Sequence, residues 1–259
     1  MLKGCFLELQ MSKLTRRSLS ALLIIFIFLG QASFAKLKNV IILIGDGMGF
    51  EAVKAASMYA YGREGMLTFE QFYRGEVTTH STNSYLQSYH ATDSAAAATA
   101  MATGQKVKNG VISEDANKPL KTLLEYSKEA GKAAGLVSTV FLTDATPAGF
   151  GAHADDRDDG NDIADDYFQQ SRPNIFLGAY YDTVMSDRKV RLAGYEIVKT
   201  RQQMLEAIAQ ASQKSTTDFF IAGLFTEGKD MPYEYDFYRQ KGILLPFEGM
   251  HGLYEFPDG

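Results

Sequence analysis

The sequence predicts an α/β fold, a mostly parallel β-sheet sandwiched between helices, and three observations predict it. Strand-like runs recur at residues 40–44, 134–142, 174–177, 195–198 and 219–224, the first of them continuously apolar. Segments that favour helix fall between them. Two of the runs end in polar turns that carry an aspartate, Gly45-Asp46-Gly47-Met48-Gly49 and Asp144-Ala145-Thr146-Pro147. A strand that is apolar throughout, without polar alternation, is covered on both faces, and alternating strands and helices are the pattern of a parallel sheet between helical layers. Ligands bind such sheets beyond the carboxyl ends of the strands, which is where Asp46 and Asp144 fall.

In chain order, residues 40–44 (Val-Ile-Ile-Leu-Ile) predict a strand buried on both faces, and a helix follows from about Glu51. Residues 95–102 are dense in alanine, the strongest helix former. Residues 120–130 predict a further helix that Gly131 ends. The run at 134–142 is the next buried strand, the three later runs are short strands, and a helix over 201–211 precedes the last of them. Residues 155–166 read as an acidic, loop-like stretch, and 233–259 as aromatic-rich without a clear period. No internal repeat or long linker divides residues 36–259, so a single α/β domain is expected there.

The N-terminus reads differently. Lys13, Arg16 and Arg17 precede the apolar run 21–29, and Ser33-Phe34-Ala35 supplies small residues for cleavage, so residues 1–35 form a secretory signal peptide cut after Ala35. The apolar run is well short of the roughly 20 residues that span a bilayer. The protein is therefore expected to be secreted or periplasmic, with no membrane attachment after cleavage and with translation starting at Met1 or Met11. Its single cysteine, Cys5, leaves with the leader, so disulfides and thiolate metal ligands are excluded from the remainder. The composition, 46% hydrophobic and 22% charged, is that of an ordinary folded domain. The formal net charge of −5 becomes more negative once the basic leader is lost, and no basic cluster remains to bind nucleic acid. An acidic protein that handles phosphate must neutralise it locally, with metal ions or a placed arginine.

Three motifs carry chemistry. In Gly45-Asp46-Gly47-Met48-Gly49, Phe50 stands where a dinucleotide-binding turn needs glycine. A carboxylate flanked by glycines at a strand end suits a metal ligand, although Asp46 as a helix cap explains the same residues. In Ala91-Thr92-Asp93-Ser94, followed by four alanines, a helix starting near Asp93 or Ser94 puts the Ser94 hydroxyl at the positive helix end, where backbone N–H groups receive phosphate. A serine there needs a base or a metal to become a nucleophile, and a plain N-cap is the ordinary use of these residues. In the third motif Asp144 and Thr146 offer two oxygens to a hard cation such as magnesium. Arg157, downstream of Ala152-His153, carries a planar fork that can hold two phosphate oxygens. Because Arg157 lies among Asp155, Asp156, Asp158 and Asp159, an exposed salt bridge is the simple alternative. The acidic run lacks the regular alternation and central glycine of an EF-hand calcium loop.

The strings Ile42-Leu43-Ile44-Gly45-Asp46-Gly47-Met48-Gly49, Thr92-Asp93-Ser94-Ala95-Ala96-Ala97-Ala98-Thr99-Ala100 and Asp144-Ala145-Thr146-Pro147-Ala148 resemble the alkaline phosphatase family, in that order and at similar spacing. Weaker resemblance continues through 173–178, 194–205 and 223–236, so that it covers about residues 38–236. The resemblance implies hydrolysis of phosphomonoesters through a phosphoserine, with Zn2+ and Mg2+ as cofactors. Ser94 would be the nucleophile and a zinc ligand, Asp46 would bridge a zinc and the magnesium, and Asp144 and Thr146 would be magnesium ligands. Arg157 would clamp the phosphate, with Asp93 helping to position it. Aspartate at 144, where many relatives carry histidine, leans toward magnesium at that site.

The departure from the family also matters. Most zinc ligands of the family come from its second half, and this chain stops before them; none of His80, His90, His153 and His251 matches a zinc-ligand position. The fold is thus expected to be incomplete, and residues 36–259 alone to show little turnover. Two other readings stay open: a truncated or non-catalytic phosphate- or metal-binding product of an alkaline phosphatase gene, and a related phosphodiesterase or sulfatase. Arg157 and the Thr92-Asp93-Ser94 string weigh against the latter. A homodimer is implied by resemblance only.

Overall fold

The computed structural model describes residues 38–84, 91–116, 118–213 and 218–231. The expected leader at 1–35, Cys5, His90, His251 and the aromatic tail at 233–259 lie outside the described residues. The chain divides into two units, residues 1–47 and 48–259. In the first, residues 38–45 form neither helix nor strand, and a turn follows at Asp46 and Gly47, where Gly47 takes the left-handed φ of +67°. The strand expected at 40–44 is therefore not formed, and Val40, Ile41 and Leu43 are 72, 83 and 91% exposed. An all-apolar strand is buried only where neighbours pair with its backbone and layers cover both faces; within this unit the described residues supply neither.

The second unit opens with helix α1 (Phe50–Tyr61), which Gly62 ends in a left-handed conformation, and a single 3-10 turn at Glu70–Phe72. Helix α2 (Ser94–Thr103) is capped by Asp93, and its Ala95, Ala96, Ala98 and Ala102 are buried. A short antiparallel hairpin, β1 (Glu114–Asp115) and β2 (Lys118–Pro119), leads to α3 (Leu123–Glu129). That helix begins later than its composition suggests, because Thr122 and Glu125 form a reciprocal capping box that sets its first turn. Then come β3 (Gly135–Phe141), α4 (Ala145–Gly151), α5 (Gly160–Gln169) and β4 (Ile175–Tyr180). They are followed by α6 (Asp182–Met185), α7 (Asp187–Leu192), β5 (Glu196–Val198), α8 (Arg201–Ser212) and β6 (Ile221–Glu227). Helix α5 corrects the loop reading of 155–166: its acidic residues hide an apolar face, Ile163, Ala164, Tyr167 and Phe168, all buried at helical spacing.

The four longer-range strands form one parallel sheet in the order β3-β4-β6-β5, flanked by helices. Gly135 pairs with Ile175, Ile175 with Ile221, and Ile221 with Glu196, so the amino ends are in register and the carboxyl ends share one edge. Between sheet and helices lies an aromatic core in which Phe176 meets Tyr195 at 4.6 Å and Tyr167 at 6.3 Å between ring centroids. Both tyrosines keep their hydroxyls satisfied while buried: Tyr167 donates to the Leu142 carbonyl at 2.9 Å and Tyr195 to that of Pro173 at 2.8 Å. Burial raises both phenol pKa values, so these groups stay neutral donors.

Candidate functional site

Two helix starts build the site. Asp93 is in an extended conformation before α2, and its Oδ1 accepts the Ala96 N–H at 2.9 Å; Ser94, half-buried, is the first residue of the helix. Asp144, just beyond the carboxyl end of β3, is the N-cap of α4, where its Oδ1 accepts the N–H of the next residue, Ala145, at 2.8 Å. The helices approach closely because small residues meet at their contact. A Cβ on Gly149 would lie 2.6 Å from Cβ of Ala98, a distance no real pair adopts, so α4 reaches α2 at this separation only with glycine there. The Ser113 hydroxyl donates to the Gly149 carbonyl, and the Ser113 N–H to Thr99 Oγ1 at 2.8 Å, fastening the pair.

Arg157 joins the two helix starts. Its Nη2 donates to Asp144 Oδ1 at 3.0 Å and its Nη1 to Asp93 Oδ2 at 3.4 Å. With 29% of its side chain exposed, against 24% for Asp93 and 21% for Asp144, the guanidinium is neither a surface pair nor sealed from a ligand. The simple alternative, pairing with the flanking aspartates, is not what forms: both ion pairs reach across the fold. The loop that carries Arg157 is held by backbone bonds. Ile112 and Ala154 exchange N–H and carbonyl at 2.8 and 2.9 Å, and the Arg157 N–H donates to the Gly110 carbonyl at 2.8 Å.

The remaining predicted positions stand as follows. Thr146 is half-buried in the first turn of α4, two residues after Asp144. Asp46 is exposed, in the turn of the first unit. Asp144 and Thr146 supply carboxylate and hydroxyl oxygens, a donor chemistry that fits part of a magnesium shell. Among the described residues, no three His, Cys, Asp or Glu converge as a metal site, so they do not complete a zinc centre. An open groove of about 770 Å³ lined by Met48, Phe50, Leu67 and Phe69 includes none of the predicted site residues and is walled largely by apolar groups.

Sequence reasoning missed one neighbour of the site and the surroundings of a buried histidine. The Asn109-Gly110 turn touches Asp93 directly, the Gly110 N–H donating to Asp93 Oδ2 at 2.9 Å; its only sequence signal is an Asn-Gly pair, which marks any turn. His153 is nearly enclosed, 8% exposed, with Nδ1 2.9 Å from Asp166 Oδ2 and Nε2 3.3 Å from the Leu120 carbonyl and 3.5 Å from Glu125 Oε2. Burial opposes its charge, but the Asp166 hydrogen bond and the charges of Glu125 and Asp166 together outweigh burial and raise its pKa above 6.5. Both ring nitrogens face acceptors, which is the arrangement an imidazolium satisfies.

A sequence profile of the alkaline phosphatase family matches residues 37–185. Alkaline phosphatase 3 of Bacillus subtilis is 39% identical over 213 residues, which cover 74% of this chain and 42% of the relative. This chain belongs to the alkaline phosphatase family. The cold-active alkaline phosphatase of a psychrophilic Shewanella superposes with a TM-score of 0.60 at 30% identity, over 74% of this chain and 47% of its own. A histidine-to-aspartate mutant of the TAB5 alkaline phosphatase, from an Antarctic bacterium, with Mg bound in its M3 site, matches with a TM-score of 0.60 at 28% identity, over 75% of this chain and 54% of its own. The chain thus spans about half the length of these alkaline phosphatases. Among its described residues no helix is long and apolar enough to cross a membrane.

Proposed function

We propose that this alkaline phosphatase chain carries the nucleophile and phosphate clamp of a phosphomonoesterase, with Ser94 accepting the phosphoryl group. The observation that carries the reading is Arg157, whose guanidinium spans the cap carboxylates of α2 and α4 beside the helix start that holds Ser94. Asp93 takes an N–H of Nη1 and Asp144 an N–H of Nη2; a guanidinium carries five N–H donors, so others can receive phosphate oxygens. The amino end of α2 adds backbone N–H groups and a positive dipole end to the same place. Ser94 Oγ attacks phosphorus, the ester P–O bond breaks, and the leaving oxygen takes a proton to depart as the alcohol. Water then cleaves the Ser94 phosphoester and releases inorganic phosphate.

One guanidinium facing two carboxylates leaves a carboxylate charge uncompensated, so a dianionic phosphate needs more positive charge than these residues hold. Divalent metal, when bound, supplies that charge and lowers the pKa of a coordinated oxygen. Asp144 and Thr146 would hold magnesium, and Asp46 and Ser94 would contribute to zinc. The leader reading belongs to the same proposal: residues 1–35 direct export and residues 36–259 act in the periplasm or outside the cell, with a homodimer as the assembly implied by family resemblance. A second reading, a chain that binds phosphate or metal without turnover, is favoured by the incomplete zinc donor set among the described residues.

Hydrolysis of a chromogenic phosphomonoester with zinc and magnesium supplied, together with mass spectrometry of the Ser94 peptide, tests both. Turnover lost in Ser94→Ala and phosphate found on Ser94 support the hydrolase. Phosphate binding without turnover supports the second reading, and turnover indifferent to Ser94→Ala overturns the role of Ser94.

A further inference from the structure

Resting on the phosphate-clamp reading, we infer that Asn109 is a positioning residue for the clamp, acting on Arg157 through Asp93 and Gly110. Its amide reaches the backbone on both sides of Thr92. Nδ2 donates to the Ala91 carbonyl at 2.9 Å, and Oδ1 accepts the Asp93 N–H at 3.3 Å. The next residue completes the bracket: the Gly110 N–H donates to Asp93 Oδ2, and the Gly110 carbonyl accepts the Arg157 N–H, at 2.9 and 2.8 Å. The turn therefore holds the cap carboxylate and the main chain of the arginine that the carboxylate orients. Gly110 has a φ of +89°, where a side chain is strained, so the turn has little freedom to relax.

The bracket is itself anchored. The Asn109 N–H donates to Asn83 Oδ1 at 2.9 Å, which also accepts from the Ser81 hydroxyl at 2.9 Å, while the Ser81 N–H donates to Thr92 Oγ1 at 2.8 Å. Only a carboxamide gives both the donor for Ala91 and the acceptor for Asp93; aspartate loses the first and an aliphatic side chain loses both. A displacement of about 1 Å in a bound geometry can cost a hundredfold, so a residue that touches no ligand can still set the strength of the clamp.

The test is a double-mutant cycle on binding of inorganic phosphate to the full chain, with magnesium present, read by phosphorus NMR titration. Arg157→Ala is expected to weaken binding about tenfold or more, and Asn109→Ala by several-fold, because each disturbs the same fork. The double variant should bind no more weakly than Arg157→Ala alone, since Asn109 acts through the arginine. Losses that multiply would show an independent, structural effect and overturn the positioning role, as would Asn109→Ala with unchanged affinity. Should Asn109→Ala fail to fold, Asn83→Ala, which removes only the anchor of the Asn109 N–H and of Ser81, runs the same cycle with the same outcomes. Absent phosphate binding, or Arg157→Ala without effect, overturns the clamp reading and the inference with it. A weakened Arg157→Ala beside an unaffected Asn109→Ala overturns the inference alone.

Discussion

At the scale of single residues, Asp93 does the most work in the site, because one carboxylate serves three partners. Oδ1 caps α2, while Oδ2 accepts from Gly110 and from Arg157. Asp93→Ala is expected to lower stability by about 1–2 kcal/mol, mostly through the lost cap, whereas Arg157→Ala removes only part-exposed ion pairs and should cost about 1 kcal/mol or less. Urea unfolding of the two variants measures the difference. His153 gives a prediction in pH. Its folded pKa is raised, so its contribution to stability is full below the ordinary value of 6.5 and is lost as pH rises through the folded value. The groups facing it are Asp166 on α5, Glu125 on α3 and the partly buried Glu114 on β1. The melting-temperature deficit of His153→Gln relative to the parent should be largest near pH 6 and shrink as pH rises; a deficit that is constant or grows would contradict the charged histidine. Ser94, Asp144 and Arg157 were singled out in the sequence by residue type and by resemblance to the family's motifs, and the structure sets Arg157 against Asp93 and Asp144. Asn109 was not singled out, since its contacts span from position 83 to 93 and a single sequence does not reveal such pairs.

At the scale of elements, the α2–α4 contact determines whether Asp93 and Asp144 can share one arginine. Gly149→Ala should cost about 1–3 kcal/mol as an overpacking change, since its methyl group would meet Ala98 at 2.6 Å and the backbone of Thr99 at 3.1 Å. It should also loosen phosphate binding by moving one cap away from the other, although Gly149 carries no polar group toward the site. Thermal unfolding and phosphate titration of this variant check both effects; an unaltered melting temperature would show that the helices part freely. The parallel sheet was legible from the alternation of strand-like and helical segments, and strands form at 135–141, 175–180, 196–198 and 221–227. Two misreadings have physical causes. Residues 40–44 are more uniformly apolar than the segments that do form strands, but burial of such a run depends on neighbours that composition does not specify. Helix α5 was hidden because Asp162, Asp165 and Asp166 dominate its average character while its apolar residues keep to one face.

At the scale of the whole molecule, membership of the alkaline phosphatase family and a chain spanning about half of its relatives bear on the site together. The described residues bring Arg157 together with Asp93 and Asp144 beside the helix start that holds Ser94, yet no three-residue zinc cluster forms among them. The proposed phosphate clamp therefore predicts phosphate binding by this chain with a divalent metal present, whether or not turnover follows. The most direct measurement is calorimetric titration of the chain and of Arg157→Ala with inorganic phosphate, magnesium present, beside their melting temperatures. The phosphate clamp predicts affinity at least about tenfold weaker in Arg157→Ala, equivalent to about 1.4 kcal/mol of binding free energy, with the melting temperature nearly unchanged. Equal affinity in the two proteins would contradict it.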